Sequence, residues 1–160
     1  MSKVKANPAV KSGTEPEIRM FEGGDPAGFE KIREYLTAYN EKKLSVKRNA
    51  ALMTACIDGE VVGGISFRWY GDSAFLDYVA VGEKWHGQGI GRRLLEAVEE
   101  ELRNRGCRQI TLDTEGFQSP DFYRRLGYEV ITTVPDYICG YDQLIMRKVI
   151  SGKARGNEQQ

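Results

Sequence analysis

Residues 79–93 read Val79-Ala80-Val81-Gly82-Glu83-Lys84-Trp85-His86-Gly87-Gln88-Gly89-Ile90-Gly91-Arg92-Arg93. An apolar strand end is followed here by a glycine-rich turn and then by the start of a helix. Glycine lets the backbone approach a ligand without a Cβ clash, and the first N–H groups of a helix have no partner within it. The pattern predicts an anion site suited to phosphate or pyrophosphate, although a tight connector would have the same pattern.

The helix that follows the turn is predicted to end at Gly106. Its apolar residues recur at helical spacing and predict one core stripe, with Glu99 and Glu101 on the solvent side. Arg92 and Arg93 have the wrong sign for the positive end of a helix dipole, which a bound phosphate would reverse. The stripe consists of Ile90, Leu94, Leu95, Val98 and Leu102.

Three antiparallel strands are predicted before the turn, over residues 50–57, 60–70 and 73–81. Asp58-Gly59 is typical of a tight hairpin turn between the first two. In the third strand, strict alternation predicts two faces. One carries Phe75, Asp77, Val79 and Val81, and the other carries Ala74, Leu76, Tyr78 and Ala80.

The segment after Gly106 alternates strands with one short helix. Residues 108–114 are predicted to form a strand parallel to the one before the helical crossover. Ser119, Pro120 and Asp121 begin a short helix that Gly127 ends. Residues 128–134 and 141–149 predict two more strands, separated by a loop with Pro135 and Gly140.

Less regular patterns precede the first hairpin. Residues 17–21 predict a short strand, and Asp25-Pro26 predicts a helix start. Residues 40–49 are polar and predict either a loop covering a substrate or a solvated connector. The apolar face of this helix, which we expect to lie in the core, carries Phe29, Ile32, Leu36 and Tyr39.

The composition indicates one domain over residues 17–150, between flexible tails at 1–16 and 151–160. The 23 basic and 23 acidic side chains cancel, so no overall field favours nucleic acid or an anionic membrane. Cys56, Cys107 and Cys139 are odd in number and widely spaced, which disfavours disulfides and structural zinc and favours packing roles in a reducing cytoplasm. We expect neither a membrane span nor a signal peptide.

Two motifs give the chain a family resemblance. Tyr78-Val79-Ala80-Val81 with His86-Gly87-Gln88-Gly89-Ile90-Gly91 is the first, and Asp121-Phe122-Tyr123-Arg124-Arg125-Leu126-Gly127-Tyr128 is the second. Together with the element order over residues 17–149, they resemble the GNAT superfamily of N-acetyltransferases. The resemblance implies an α/β fold of the α+β type. The implied sheet is mixed and mostly antiparallel, with about six or seven strands. We expect it to be splayed between the fourth and fifth strands and flanked by helices.

The resemblance implies acetyl-coenzyme A as cofactor. Its pyrophosphate would bind the turn, and its pantetheine arm would pair with residues 79–81 like an added strand. His86 stands where the family usually has arginine or glutamine, so we expect weaker but not absent affinity. The implied cofactor-binding residues are Val79, Ala80, Val81, His86, Gly87, Gln88, Gly89, Ile90, Gly91, Arg92 and Tyr123.

For catalysis, the resemblance assigns Tyr123 to the departing thiolate, as proton or hydrogen-bond donor. Asp77 matches a position where members often place a general base, but a paired structural acid would fit the same residue. Asp113, Glu115 and water are the other proton acceptors considered.

A narrower likeness is to a bacterial subgroup with the pattern LDT-x-x-F-Q-x-P-x-F-Y, here residues 112–123. The family's usual asparagine before the tyrosine helix is absent, so Gln118 or Ser119 is expected to make its cofactor contact. The implied function is acetyl transfer to a primary amine of a small molecule or peptide. A non-catalytic acyl-coenzyme A-binding module is the alternative, and a homodimer through the terminal strands is a further expectation.

Overall fold

The computed structural model describes residue 16 and residues 18–150, so the predicted tails lie outside it apart from Pro16. The described chain forms three helices, six strands and a single 3-10 turn at Glu83–Trp85. The helices are α1 (Pro26–Leu44), α2 (Ile90–Asn104) and α3 (Pro120–Arg125). The strands are β1 (Arg48–Ile57), β2 (Glu60–Tyr70), β3 (Ser73–Val81), β4 (Gln109–Glu115), β5 (Glu129–Ile138) and β6 (Tyr141–Val149).

The described residues divide into two units, with the boundary between Leu36 and Thr37. In the first, residues 18–21 are not in a strand, so the prediction of a strand there is wrong for its described part. Helix α1 begins at Pro26 as predicted, and Asp25 Oδ1 accepts a hydrogen bond from Ala27 N at 3.2 Å. The fixed φ of proline and the capping carboxylate explain this start.

The apolar side chains of α1 do not lie in a core. Phe29, Ile32, Leu36 and Tyr39 are 60–68% exposed, so the prediction that this face is core is wrong. Apolar periodicity predicts a helix, but it does not supply a surface for the helix to cover. The helix also continues through residues 40–44, which were predicted to be a loop or connector, and Lys42 and Lys43 suit the negative helix end.

The second unit contains one sheet with strand order β1-β2-β3-β4-β6-β5. All neighbours are antiparallel except β3 and β4, which confirms the predicted mixed, mostly antiparallel sheet. The parallel ladder consists of three pairs, from Ser73↔Gln109 to Phe75↔Thr111, although both strands continue beyond it. Backbone groups of β3 past Phe75 therefore have no ladder partner on the β4 side.

Helix α2 packs its predicted stripe into the core with the sheet, and all five stripe residues are buried. Glu99 is an exception to the predicted solvent face, because it is 4% exposed. Lys148 of β6 donates to Glu99 Oε2 at 2.6 Å and compensates its burial. The cross-sheet partner is a tertiary feature that helical spacing alone does not reveal. Cys107 is buried as expected, whereas Cys56 and Cys139 are exposed and unpaired.

A β-bulge reverses the predicted faces in the second half of β3. Ser66 pairs with Tyr78, but Phe67 pairs with Leu76, which leaves Asp77 as the extra residue. Val79 and Val81 therefore pack against the same core as Ala74 and Leu76, and Asp77 does not share their face. One inserted residue changes which side chains point to each face, so strict alternation was the wrong assumption here.

The last hairpin is longer than predicted, because β5 continues through Pro135 to Ile138. Proline is tolerated here because β5 is the edge of the sheet and has a register shift between Val134 and Ile138. The turn to β6 is formed by Cys139 and Gly140, both at positive φ.

Candidate active site

The glycine-rich turn has the backbone that its sequence predicts. Gly87 and Gly89 have φ values of 74° and 75°, in the left-handed region that favours glycine. Gly89 is the N-cap of α2 and its neighbours provide no side-chain cap, so the first helical N–H groups remain available to a ligand. Arg92 extends along the helix to Glu96, with Nε and Oε1 2.8 Å apart.

His86 contacts the end of β3. Its Nε2 lies 2.8 Å from the carbonyl oxygen of Val81. A carbonyl can only accept, so Nε2 carries the hydrogen in this contact, and a neutral ring then presents Nδ1 as an acceptor. The imidazole therefore joins the turn to the end of β3 by a hydrogen bond. The family resemblance had not indicated this role for residue 86.

A cleft of about 740 Å³ joins this turn to the ends of β3 and β4 and to α3. Its size is that of a typical small-molecule site. Gln88 and Asp77 are not among its lining residues, and Gln88 Nε2 instead donates to Lys84 O at 3.4 Å. The predicted cofactor-binding residues that do line the cleft are Val79, Ala80, Val81, His86, Gly87, Gly89, Ile90, Gly91, Arg92 and Tyr123.

The cleft is also lined by four residues that the sequence motifs did not assign to the cofactor: Trp85, Thr114, Arg125 and Leu126. Helix α3 lies directly against the first turn of α2. A Cβ built on Gly91 would lie 3.4 Å from Phe122 Cζ. The third glycine of the turn is thus a site of close helix packing, which is consistent with its ordinary φ.

Tyr123 lines the cleft and is 8% exposed. Burial, with a smaller contribution from the Asp113 carboxylate, raises the pKa of Tyr123 to about 12. The rings of Phe122 and Tyr128 meet it edge-on, with centroid distances of 5.1 and 5.9 Å. At neutral pH its phenol is therefore a protonated, rigidly held donor.

Asp77 forms an ion pair with Arg68 of β2, and both side chains are partly buried. The Arg68 guanidinium also lies 4.3 Å from the centroid of the Phe75 ring. Asp113, at the position of β4 two residues past the last parallel pair, accepts from Gln143 Nε2 at 3.2 Å. Two carboxylates thus follow the point where the parallel ladder ends, and one of them is neutralised by arginine.

Gln118 has a fixed amide orientation. Its Oε1 accepts from the Thr114 hydroxyl at 2.9 Å and from Glu115 N at 3.3 Å. Because a backbone N–H can only donate, the atom facing it must be the amide oxygen. Gln118 and Ser119 both line the cleft, and Gln118 can offer a ligand the two donors of its NH₂ group.

The architecture agrees with comparisons to known proteins. A family model described as the acetyltransferase (GNAT) family matches residues 17–128. Blasticidin-S acetyltransferase of Streptomyces morookaense is 32% identical over 91 residues, covering 56% of this chain and 64% of that protein. An acetyltransferase of Agrobacterium fabrum is 33% identical over 102 residues, covering 62% and 74%.

Solved structures show the same fold. The crystal structure of an acetyltransferase from Bacillus cereus superposes with a TM-score of 0.68 at 26% identity, covering 82% of this chain and 97% of that one. The resemblance inferred from the glycine turn and the Phe-Tyr helix is thereby confirmed. The chain belongs to the acetyltransferase (GNAT) family, a family of acetyl-CoA-dependent N-acyltransferases.

Proposed function

We propose that this protein transfers the acetyl group of acetyl-CoA directly to a primary amine of a small molecule or peptide, within a ternary complex. The observation that carries the proposal is one cleft that brings together an uncapped helix start, a strand end without ladder partners on its β4 side, and a buried tyrosine. These three features suit the phosphate, amide and thioester parts of one ligand.

The cofactor would lie along the cleft with its pyrophosphate on the turn. The amides at the start of α2 suit an anion because no side chain caps them and they lie at the positive end of the helix. The pantetheine amides would bond to β3 at residues 79–81, where the β4 ladder has ended. The family's splay between the two strands would provide the slot in this arrangement.

The chemical step needs an unprotonated amine, which attacks the thioester carbon and forms a tetrahedral intermediate. The C–S bond then breaks, the sulfur leaves with the electron pair, and the amine nitrogen loses its proton. Tyr123 would donate its phenolic proton to the departing thiolate or hydrogen-bond to it. With a pKa of about 12 the phenol is protonated at neutral pH and can donate, although it is a weaker acid than an ordinary tyrosine.

Asp77 is our first candidate for the amine proton. The ion pair with Arg68 favours its ionised form, which a base needs, but also makes it a weaker base. The same pair supports the alternative role of a structural acid. Asp113, Glu115 and water are the other acceptors, and variants of the two aspartates separate these roles.

A small-molecule acceptor is supported by the relative named for blasticidin S. Peptide acceptors stay within the proposal.

We further propose a cytoplasmic protein that forms a homodimer. The cytoplasmic assignment is supported by the thiols of Cys56 and Cys139, which are exposed and in no disulfide, as a reducing compartment would allow. The described residues form no helix able to cross a bilayer. The dimer proposal is supported by edge strand β5, in which every residue is exposed, including Val130, Ile131 and Val134. Sedimentation analysis of wild type and Ile131→Lys tests it, since a charge on this edge would favour the monomer.

The enzyme is distinguished from a non-catalytic acyl-CoA-binding module by measuring two quantities on the same protein. Calorimetry measures coenzyme A binding, and release of free thiol from acetyl-CoA is followed with a panel of alkylamines, polyamines and peptides. The proposal predicts binding together with amine-dependent thiol release. Tight binding without release on any amine would favour the module.

A further inference from the structure

The phosphate end of the cleft lacks the permanent charge that the family usually places at the position of His86. The described cations lining this cleft are Arg92 and Arg125. Arg92 is held by Glu96, with Nε and Oε1 2.8 Å apart. Arg125 forms no ion pair with any residue that the structure describes, so its charge is uncompensated within this part of the chain.

The packing of α3 explains why Arg125 lies beside the glycine turn. Phe122 contacts Gly91 in the first turn of α2, as the 3.4 Å approach of a built Cβ shows. Residues three apart share a helix face, so Arg125 lies on the same face as Phe122. That face is the one directed toward the start of α2 and the cleft.

The neighbouring arginine has the opposite placement. Arg124 donates from Nη1 to Asp121 Oδ1 at 2.6 Å and is not among the cleft residues. Two adjacent arginines thus differ in both location and charge compensation. Arg124 is therefore a matched control for Arg125. Its replacement removes one positive charge from the same helix without removing a side chain that lines the cleft.

From this arrangement we infer that Arg125 binds a phosphate group of the coenzyme and supplies, from α3, the cationic contact that His86 does not. This inference rests on the proposed function, since it assigns a residue to the same cofactor. A guanidinium suits the role because its planar donors bond phosphate oxygens in pairs. Either the pyrophosphate or the 3′-phosphate has the required chemistry.

The test measures calorimetric binding of coenzyme A and 3′-dephospho-coenzyme A to wild type, Arg125→Gln and Arg124→Gln. Arg125→Gln should weaken coenzyme A binding roughly tenfold, the usual effect of losing one charged hydrogen bond. It should also reduce the dependence of affinity on salt, because one phosphate contact is lost. Arg124→Gln should retain nearly wild-type affinity.

The two ligands identify the phosphate. If the 3′-phosphate is the partner, Arg125→Gln binds dephospho-coenzyme A as wild type does. If the pyrophosphate is the partner, both ligands are weakened alike. Wild-type affinity and salt dependence in Arg125→Gln would overturn the inference, as would an equal loss in Arg124→Gln.

Binding separates this inference from the proposed reaction. Wild type that binds coenzyme A but acetylates no amine would contradict the proposed function. The binding affinities of Arg125→Gln and Arg124→Gln would still decide whether Arg125 contacts a phosphate. Turnover by wild type with unchanged binding in Arg125→Gln would contradict the contact alone. Wild type that binds no coenzyme A would contradict both.

Discussion

Nε2 of His86 lies 2.8 Å from the carbonyl oxygen of Val81 and joins the glycine turn to the end of β3. The contact links two parts of the cofactor site, since Val81 ends the strand proposed for the pantetheine and His86 precedes the turn proposed for the pyrophosphate. An arginine could hold phosphate with a permanent charge, whereas this imidazole holds the turn in place.

Replacing His86 should therefore affect both stability and cofactor binding. His86→Ala removes one neutral hydrogen bond, worth about 1 kcal/mol, and should weaken coenzyme A binding several-fold. His86→Gln retains a donor and should preserve part of both properties. Denaturant unfolding and calorimetry measure the two effects, and wild-type values in His86→Ala would contradict this role.

The glycines of the turn should differ in their tolerance of alanine. Gly89 has φ of 75° with nothing within 4 Å of a built Cβ, so Gly89→Ala should lose about 1–2 kcal/mol through backbone strain alone. Gly91 is helical, and alanine there would contact Phe122 at 3.4 Å, an approach that small adjustments accommodate. Gly91→Ala should stay within about 1 kcal/mol of wild type in denaturant unfolding, because alanine's higher helix propensity offsets the tight contact. Equal losses in the two variants would contradict this distinction.

Tyr123 should ionise later than an ordinary tyrosine. Burial raises its pKa from 10.0 to about 12, so between these values the folded state keeps a proton that the unfolded state loses. Its contribution to stability is present below about pH 10 and decreases as pH rises toward 12. The difference in tyrosinate absorbance between wild type and Tyr123→Phe measures this ionisation, and a midpoint near 10 would contradict it.

Variants of Asp77 and Asp113 should show whether Asp77 acts as the general base or as a structural acid. If Asp77 is the general base, Asp77→Asn should lower kcat by about 10²-fold and remove the acidic limb of the pH–rate profile. Asp113→Asn is the matched control and should change kcat less. If Asp77→Asn lowers stability by about 1 kcal/mol, as loss of a partly exposed ion pair would, but retains kcat, its role is structural.

Local patterns predicted the elements that depend on neighbouring residues. Asp58-Gly59 located the first hairpin, and the apolar stripe located α2, because turn chemistry and helical spacing are properties of short segments. The glycine turn was predictable for the same reason. The arrangement of these parts as one cleft came from the family resemblance.

Features that depend on distant partners were not predictable. The bulge at Asp77 exists only in register with Ser66 and Phe67, so the strand alone shows ordinary alternation. The buried Glu99 depends on Lys148, which is 49 residues away along the chain. The exposed stripe of α1 shows the same limit, since amphipathicity does not specify a covering surface.

The proposed acetyl transfer is tested most directly by the catalytic constant of Tyr123→Phe on the best amine found for wild type, measured beside its coenzyme A affinity. Phenylalanine keeps the buried ring and removes the proton donor. If Tyr123 donates to the departing thiolate, kcat should fall about 10²-fold or more while coenzyme A affinity stays within a few-fold of wild type. An unchanged kcat in a variant that folds and binds coenzyme A normally would contradict it.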